Sequence, residues 1–346
     1  MNNKNLFQNY LVYIQSITYN HASYINDTLN GFCVQQTSFP FIAVIIDDAS
    51  TDGEQDIIKD YLTQHFDMDN GDEWETEDAY FICAQHESNR NCFFSVILLK
   101  YNFYQIGKSK DYLYARWRDA SKYMAFCEGD DYWIDPLKLQ KQVDYLENHR
   151  DCGLVYTLAR INKNGMIGKG LVGKDCRKIK FMMSENPIPT LTTLFRMSIY
   201  HNYLMDVQPE KHHWLMEDKP IWYYIRIHSK IHFLPEVTSV YRLLEESASH
   251  SNDLGKMLRF RDSAREISFF FLEKYFKGST RYKQEMDAAQ QTYYNIAIFL
   301  CIQYRENRVA AKLFQEGFRY LHWSTSIRYF LYIHCPSLWT LRMKIG

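Results

Sequence analysis

The sequence lacks the features that mark secreted, zinc-binding or membrane-spanning proteins. Its eight cysteines are scattered over 346 residues without a Cys-x-x-Cys pair, so neither a disulfide framework nor a cysteine-rich zinc site is expected. The chain does not start with a basic-then-apolar signal pattern, and no uninterrupted apolar run approaches the roughly 20 residues that cross a bilayer. We expect reduced, mostly buried thiols and a soluble cytoplasmic protein, with peripheral attachment to the inner face of the cytoplasmic membrane as the alternative.

Net charge is also scarce, at −1 by formal count, but it is unevenly distributed. From Lys256 to the end, fifteen Lys and Arg residues stand against seven Asp and Glu. The closing part from Ser324 contains Arg328, Arg342 and Lys344, several aromatic residues and no acid. Such a segment is typical of a solvated or packed helix, although a helix of this composition can also lie in a membrane interface. No nucleic-acid-binding motif accompanies the basic residues, so no nucleic acid partner is expected.

Apolar residues make up 46% of the chain and charged residues 23%, which predicts a folded protein with a large core. Through the first 160 residues, strand-like segments alternate with helix-like ones. The strand-like segments are residues 11–18, 41–46, 79–85, 123–131 and 152–161. This alternation predicts an α/β fold with a mainly parallel sheet flanked by helices. The acidic residues 67–78 are expected to form a solvated loop, and from about residue 250 the pattern becomes helical.

Two pairs of adjacent aspartates follow two of these strands. Asp47 and Asp48 open the stretch DDASTDG, and Asp130 and Asp131 lie in FCEGDDYWIDP. Ligands of such sheets bind beyond the carboxyl ends of the strands, so both pairs could face one crevice. Adjacent carboxylates repel each other unless a cation compensates, and oxygen ligands favour Mg²⁺ or Mn²⁺, which also bind diphosphate oxygens. A structural turn or helix cap is the alternative for each pair.

Three stretches, ITYNHASYINDTL, IIDDASTDG and CEGDDYWIDPLKLQKQV, occur in this order and at suitable separations. Together they resemble the nucleotide-sugar domain of glycosyltransferase family 2, especially its bacterial members, over roughly residues 9–245. The resemblance implies a GT-A fold for residues 1–250, followed by a helical region over residues 251–346. It also implies a nucleoside-diphosphate sugar donor, with a UDP-sugar favoured, a Mn²⁺ or Mg²⁺ cofactor, and transfer with inversion at the anomeric carbon.

The resemblance also implies roles for the matching residues at the strand ends. Asp48 would contact the nucleotide base, with Asp47 as its neighbour. Asp130 would lie near the ribose, and Asp131 would bind the metal.

Other parts of the family pattern are matched less fully. Tyr19 and Asn20 match the first-strand motif, whose edge approaches the nucleotide. The asparagine- and glycine-rich segment that many members carry between the aspartate pairs is missing here, which leaves donor contacts in that region unassigned, including Arg116. The Gln-x-x-Arg-Trp motif of processive synthases is also absent, which favours single additions over polymerisation.

Two later stretches resemble further family motifs. In HHWLMEDKPIWYYI, the resemblance points to Asp218 as the catalytic base that deprotonates the acceptor hydroxyl, with Glu217 in reserve; the alternative is that Asp218 only caps the following helix. SVYRLLEESASHS resembles the segment that closes over the donor phosphates. Arg242 would be a diphosphate partner there, because a guanidinium suits phosphate geometry. His250 is either a further metal or phosphate ligand or an ordinary surface or core residue.

These residues and the resemblance together predict a metal-dependent inverting glycosyltransferase of the hexosyltransferase type. It would transfer a sugar to a hydroxyl of a glycan or lipid-linked acceptor in cell-envelope polysaccharide biosynthesis. A non-catalytic nucleotide-sugar or glycan-binding protein is the alternative. The acidic motif at Asp218 distinguishes the two hypotheses, because a binding protein has no need of a catalytic base. Nucleotidyl transfer to a sugar phosphate is disfavoured, since no glycine-rich basic loop lies near the start of the chain.

Overall fold

The computed structural model describes residues 9–244, 251–335, 337 and 339. Within them, strands β1 to β11 span, in chain order, Val12–Thr18, Phe41–Asp47, Asp72–Glu75, Ala79–Gln85, Cys92–Leu99, Tyr123–Phe126, Tyr132–Trp133, Cys152–Lys163, Met166–Val172, Leu194–Arg196 and Lys230–Leu243. Helices α1 to α11 span Ile25–Cys33, Glu54–His65, Phe103–Ile106, Asp111–Ala120, Lys138–Asn148, Met197–Val207, Asp218–His228, Leu254–Tyr275, Tyr282–Gln303, Asn307–Gly317 and Trp323–His334.

The strands form one mixed sheet in the order β3-β4-β5-β2-β1-β6-β10-β8-β11-β7, with β9 paired to β8. Strands β5, β2, β1 and β6 run parallel side by side, and so do β8 and β11. The other ladders are antiparallel. The predicted α/β fold with a helix-flanked central sheet is confirmed, but the parallel pairing is confined to these two groups of strands.

The central parallel strands are apolar because both of their faces are covered. Every residue of β2 and of β5 is buried, as expected for strands between helical layers. Strand β5 was not predicted, and its run CFFSVILL lies in the region that departs from the family pattern. The prediction of a loop throughout residues 67–78 was wrong, because Asp72–Glu75 forms an edge strand by antiparallel pairing with β4. That strand depends on its neighbour rather than on its own acidic composition.

The chain divides into two compact units. The first comprises residues 1–176, 187–206 and 228–243 and contains the sheet. The second comprises residues 177–186, 207–227 and 244–346, and its regular structure in the described residues is helical. Two segments that precede residue 228 therefore belong with the C-terminal helices. The predicted domain boundary between residues 250 and 251 stays a prediction.

The second unit has a core of its own between α9, α10 and α11, where Ile298, Cys301 and Ala310 are buried. Glu285 of α9 is fully buried. Its two carboxylate oxygens accept hydrogen bonds from the backbone nitrogens of residues 182 and 183 at 3.2 and 3.1 Å. This carboxylate attaches the segment 177–186 to the helices that follow it much later in the chain.

The structure bears on the expectations about membrane-spanning helices and about the cysteines. No helix among the described residues is long and apolar enough to cross a bilayer. All eight cysteines lie in the described part of the chain and are free thiols, of which six are buried, while Cys33 is half-buried and Cys335 is exposed.

Candidate active site

The carboxyl ends of three parallel strands meet at one edge of the sheet, because β1 lies between β2 and β6. The residues that follow β2 and β6 are hydrogen-bonded to the end of β1. Asp48 N donates a hydrogen bond to Thr18 O at 3.0 Å, and Gly129 N donates to Ile17 O at 3.1 Å. The two aspartate pairs therefore follow strands on either side of β1, about 10 Å apart by the usual strand spacing.

Asp47 is fully buried and organises the turn after β2. Its Oδ1 accepts hydrogen bonds from Ser50 N at 2.9 Å and from Gln55 Nε2 at 2.6 Å. Its Oδ2 is buried and has no hydrogen-bond partner within the described residues. Across this turn, Asn20 Oδ1 accepts from Thr51 N at 2.8 Å, and Asn20 has a left-handed backbone with φ of 57°. Asparagine is enriched in that conformation, so the two residues together shape the loop over the strand end.

Glu54 joins the loops after β1 and β2, and the sequence analysis did not single it out. It is fully buried, and its carboxylate accepts hydrogen bonds from His21 N at 2.8 Å, from Ser50 Oγ at 2.9 Å and from the Thr18 hydroxyl. Burial raises the pKa of Glu54, and these hydrogen bonds oppose the rise. The only sequence feature that could have indicated a role for Glu54 is its position directly after DDASTDG. Tyr19 is exposed beside this network.

Asp48 is only 3% exposed, and one segment of the chain engages its carboxylate. Oδ1 accepts a hydrogen bond from Phe103 N at 2.8 Å, and Oδ2 accepts from Tyr104 N at 3.2 Å. Lys110 Nζ lies 2.9 Å from Oδ2 and forms an ion pair with it. The residue that the resemblance assigned to the nucleotide base thus makes three contacts with protein groups.

Asp130 and Asp131 are adjacent carboxyls after β6, of which Asp131 is buried and Asp130 is half-buried. Asp130 Oδ1 is buried and has no hydrogen-bond partner in the described part of the chain. Asp131 Oδ1 accepts from Arg242 N at 2.8 Å. Burial raises the pKa of both carboxyls, and the charge of Asp130 raises the pKa of Asp131 further; His21 and Arg242 oppose the rise at Asp130. Ionising both groups is therefore unfavourable unless a cation compensates.

Arg242 of β11 is buried and connects this turn to α1. Its Nη1 donates a hydrogen bond to Asp130 O at 2.6 Å, and its Nη2 pairs with the carboxylate of Asp27. The guanidinium also lies 4.9 and 4.5 Å from the ring centroids of Tyr24 and Tyr132, a favourable cation–π arrangement. Arg242 therefore stabilises the turn, and its contact with a diphosphate stays a prediction.

Thr28 and Gly129 also hold the turn after β6 in place. Any side chain at position 129 would require neighbouring atoms to move. Thr28 Oγ1 lies 2.9 Å from Gly129 O and 2.7 Å from Asp131 O, to which it donates. A Cβ atom on Gly129 would lie 2.0 Å from Thr18 Oγ1. The backbone of the turn is therefore packed directly on the end of β1.

The oxygen atoms at this edge fit a divalent cation that completes its coordination with ligand oxygens. No group of three or more His, Cys, Asp and Glu side chains arranged to hold a metal occurs in the described ranges. Mg²⁺ is usually bound by only one or two carboxylates together with phosphate oxygens and water, and Mn²⁺ accepts similar ligands. The unpartnered Asp130 Oδ1 and the neighbouring Asp131 carboxylate are donors of this kind.

Asp218 and its reserve Glu217 belong to the second unit, where α7 begins. Asp218 Oδ1 accepts a hydrogen bond from Lys219 N at 2.7 Å, whereas a helix-capping side chain accepts from a backbone nitrogen two or three residues further along the chain. Lys219 Nζ donates to Ala264 O at 2.9 Å, and burial lowers the pKa of Lys219 to about 8. The role of Asp218 as base stays a prediction, and His250 lies outside the described residues.

Seven predicted residues thus lie at or beside the strand ends of the first unit: Tyr19, Asn20, Asp47, Asp48, Asp130, Asp131 and Arg242. Sequence reasoning missed three residues that position them, namely Thr28, Glu54 and Lys110. Thr28 and Glu54 lie in or beside the quoted stretches and could have been flagged there. Nothing in the sequence indicated the role of Lys110, because its partner Asp48 lies far from it along the chain.

The profile of the family described as Glycosyl transferase family 2 matches residues 14–71, which include α1, β2 and α2 with the Asp47 turn between them. Residues 14–71 of the chain therefore carry a segment characteristic of glycosyltransferase family 2. Uncharacterized proteins of Mycobacterium tuberculosis and Mycobacterium bovis are 30% identical to this chain over 246 residues, which is 69% of its length. The match covers 60% of those relatives, so the chain spans less than two thirds of their length.

Among solved structures, the mannosyltransferase PcManGT from Pyrobaculum calidifontis, in complex with GDP-Man and Mn²⁺, superposes with a TM-score of 0.51. It is 12% identical, and the likeness covers 97% of this chain and 85% of that one. At this identity the likeness shows the fold, the GT-A fold expected for the family. S. aureus TarS is less similar, with a TM-score of 0.47, 17% identity and coverage of 93% of this chain and 54% of TarS.

Proposed function

We propose that this chain is a metal-dependent inverting glycosyltransferase that builds cell-envelope polysaccharide. It would move a sugar from a nucleoside-diphosphate sugar, with a UDP-sugar favoured, to a hydroxyl of a glycan or lipid-linked acceptor. The observation that carries the proposal is the pair of adjacent carboxyls, buried Asp131 and half-buried Asp130, at the edge where Asp47 and Asp48 also lie. Buried oxygen donors at this edge suit a diphosphate bound through a cation. PcManGT, of the same fold, was solved with GDP-Man and Mn²⁺.

The proposed reaction is a single in-line displacement at the anomeric carbon. The acceptor oxygen bonds to that carbon as the bond to the diphosphate oxygen breaks, and the diphosphate leaves with the bonding electrons. Asp218 would take the proton of the acceptor hydroxyl. Asp131, with Asp130 beside it, would hold Mn²⁺ or Mg²⁺, which supplies positive charge to the departing diphosphate. Arg242 would keep the carboxyl turn in place and add a second positive charge nearby.

A lipid-linked acceptor would place the enzyme at a membrane surface, and α11 supports that part of the proposal. One face of α11 packs inward, while another exposes four apolar side chains at the spacing of a single helix face. They are Trp323, Ile327, Phe330 and Leu331, with exposures of 70%, 52%, 52% and 41%. Arg328 is exposed on the same helix, and Arg342 and Lys344 follow in the sequence outside the described residues. An apolar helix face with basic neighbours suits an interfacial position.

Calorimetric titration of UDP, GDP and dTDP into the purified protein, with Mn²⁺ and with EDTA, tests the donor and metal assignments. We expect UDP to bind in Mn²⁺ and to lose at least about tenfold in affinity, or about 1.4 kcal/mol, in EDTA. Asp131→Ala should show the same loss in the presence of Mn²⁺, because it removes the cation's carboxylate. Asp69→Ala, which removes an exposed carboxylate of the first unit, is the matched control and should bind UDP as the wild type does.

Two results would contradict these assignments. Wild-type UDP affinity in Asp131→Ala with Mn²⁺ present would show that this carboxylate is not the metal ligand. Failure of the wild type to bind any of the three nucleotides would show that the fold is kept without a donor site.

The base is tested separately with Asp218→Asn. We expect this variant to bind donor normally and to lose sugar transfer by roughly 10²- to 10⁴-fold, the usual contribution of a general base. Unchanged transfer would exclude Asp218 and make Glu217 the next residue to replace. Donor binding by the wild type without transfer to any acceptor would favour the non-catalytic nucleotide-sugar or glycan-binding alternative.

A further inference from the structure

Two cysteines of the first unit meet where the parallel strands begin, at the opposite end from the aspartates. Cys92 is the first residue of β5 and is fully buried, whereas Cys33 is the last residue of α1 and is half-buried. The turn before β5 holds them together. Asn89 Nδ2 in that turn donates a hydrogen bond to Cys33 O at 2.9 Å, and His86 N donates to Cys92 O at 2.9 Å.

The Cys33 sulfur is surrounded by hydrogen-bonding groups. It hydrogen-bonds with the Cys92 thiol and with the His86 ring. The Tyr61 hydroxyl lies 3.5 Å from Cys33 Sγ and 2.8 Å from Asn30 Oδ1. The groups at the sulfur therefore come from three separate parts of the chain, namely β5, the turn after β4 and α2.

The hydrogen bonds of His86 determine which of its ring nitrogens can donate. Nδ1 accepts hydrogen bonds from the backbone nitrogens of Ser88 and Asn89, at 3.2 and 3.0 Å. A nitrogen that accepts carries no proton, so the ring proton lies on Nε2. His86 can therefore donate to the Cys33 sulfur through Nε2.

These neighbours make Cys33 the thiolate of the pair. The hydrogen bond from Cys92 is the main cause that lowers the pKa of Cys33 below its usual range; His86 and Tyr61 add to the decrease, and burial opposes it. Burial and the hydrogen bond to Cys33 raise the pKa of Cys92 well above its usual range, so Cys92 keeps its proton. The thiolate is the reactive form of cysteine. A half-buried thiolate beside a protonated thiol suits a two-step oxidation in which the second sulfur reacts with the oxidised first one.

We propose that Cys33 is a site of oxidation by peroxides and that Cys92 is its resolving thiol, so that the pair closes into a disulfide. The bond would join the end of α1 to the start of β5. The site lies at the opposite end of the strands from the proposed donor site, and its chemistry does not depend on the function proposed above.

Two steps form the disulfide. The Cys33 thiolate attacks one oxygen of hydrogen peroxide, so that a sulfur–oxygen bond forms as the oxygen–oxygen bond breaks, and the departing hydroxide takes a proton from solvent to become water. The Cys92 sulfur then attacks the resulting sulfenic acid. The sulfur–sulfur bond forms as the sulfur–oxygen bond breaks, and the hydroxide leaves as water with the Cys92 proton. The two thiols lose two electrons, which reduce the peroxide to two waters.

The test is to treat the reduced, full-length protein with hydrogen peroxide at about pH 7 and to map its cysteine peptides by mass spectrometry without reduction. Blocking the remaining thiols with N-ethylmaleimide before denaturation prevents later exchange. We expect a disulfide between Cys33 and Cys92 at several-fold lower peroxide than oxidises Cys335, although Cys335 is exposed and Cys33 is half-buried. Dithiothreitol should reverse the bond.

Two variants separate the roles of the two thiols. Cys92→Ala should accumulate a sulfenic acid on Cys33, which dimedone traps, because the resolving thiol is gone. Cys33→Ser should form no disulfide and leave the buried Cys92 reduced. Cys335→Ser is the matched control and should form the disulfide as the wild type does. Thermal unfolding shows whether each variant folds, and Cys33→Ser keeps the test valid if Cys92→Ala does not.

Oxidation of Cys335 at lower peroxide than Cys33 would overturn the proposal, because exposure alone would then determine which thiol reacts. Oxidation of Cys33 in the wild type without a disulfide would also overturn it, because Cys92 would then not be the resolving thiol. Both results leave the proposed sugar transfer untouched, since neither measurement involves a nucleotide.

Discussion

Lys138 illustrates how strongly the surroundings of one residue change its chemistry. Its side chain is fully buried, with Nζ donating to Gln142 Oε1 at 2.9 Å and lying 4.0 Å from the ring centroid of Trp133. Burial lowers the pKa of Lys138 to about 7, although the charges of Cys127 and Asp135 oppose this. The sequence placed a lysine in the first turn of a helix, where exposure would be the ordinary expectation. Only the packing of α5 shows otherwise.

We predict that Lys138→Met stabilises the protein most at and below about pH 7. The folded-state pKa of about 7 lies below the unfolded value of about 10.4. The unfolded chain therefore binds more protons between these values, and the penalty for burying Lys138 decreases as the pH rises from about 7 to about 10. Urea unfolding of variant and wild type between about pH 6 and 9 should show the difference in unfolding free energy shrinking as the pH increases.

The matched control is Lys59→Met, on the exposed side of α2, which should show no such trend. A stability gain for Lys138→Met that stayed constant or grew with pH would contradict the pKa assigned to Lys138. Burial raises the pKa of Cys127 well above its usual range, so this thiol stays protonated in the folded protein over the pH range measured.

At the scale of elements, the packing of one turn on one strand end determines where the aspartates of that turn lie. Gly129 brings the turn after β6 against β1, and the Thr28 hydroxyl of α1, which lies near two carbonyl oxygens of the turn, donates to Asp131 O. Because β1 is also paired with β2, a displacement of this turn would change its position relative to the Asp47 loop. The geometry of the proposed donor site therefore depends on a contact that contains no charged group.

Gly129→Ala should lower both stability and nucleotide affinity. The new methyl group would overlap Thr18, and such overpacking typically costs about 1–3 kcal/mol. Relieving the overlap requires movement of Thr18 or of the turn that carries Asp130 and Asp131. Because a shift of that turn would displace both carboxyls, UDP binding in Mn²⁺ should weaken as well. Urea unfolding and calorimetric titration measure the two effects.

Gly168→Ala in the exposed strand β9 is the control, because the nearest atom to its new methyl group would lie 3.8 Å away. It should change neither quantity. If Gly129→Ala left both stability and UDP affinity unchanged, the close approach of the turn to β1 would be wrong.

At the scale of the whole molecule, the C-terminal part of the sequence combines a positive net charge with an exposed apolar helix face. From Lys256 onward the fifteen basic and seven acidic residues give a charge of +8, which leaves −9 for the rest. The exposed face of α11 belongs to this basic part. An anionic lipid surface would attract it, at about 1 kcal/mol per basic residue near the surface, and would cover its apolar side chains.

We predict that the protein sediments with vesicles of phosphatidylglycerol and phosphatidylcholine, and does so less with phosphatidylcholine alone. The double variant Trp323→Ser and Phe330→Ser should lose most of this binding, because it removes two of the most exposed apolar side chains of α11. High salt should weaken binding by screening the basic residues. Vesicle co-sedimentation at low and high salt measures each effect.

Met205→Ser combined with Leu215→Ser is the control, since these side chains are 69% and 50% exposed but do not belong to α11. It should bind as the wild type does. Equal loss in the two double variants, or no binding of the wild type to either vesicle, would contradict the proposed membrane contact.

The sequence by itself determined the fold class, the strands that carry the aspartate pairs and the resemblance to glycosyltransferase family 2. Strands β1, β2 and β6 have apolar runs that end in polar turns, and such local signals survive any arrangement of the rest of the chain. The same reasoning failed for β3, whose acidic residues pair with β4 only because β4 is there. It also left β5 unassigned, even though its apolar run is long.

Only the tertiary structure decided which groups contact the aspartates at the strand ends. Lys110 forms an ion pair with Asp48, while Arg242 donates from its backbone nitrogen to the Asp131 carboxylate and from its guanidinium to the backbone oxygen of Asp130. These contacts join segments that are far apart in the chain. Hydrogen bonds and ion pairs of this kind act over a few ångströms, so they depend on how elements pack and leave no periodic pattern in the sequence. Apolar periodicity, in contrast, is a property of each segment alone, which is why the strands were predictable and the partners of their terminal aspartates were not.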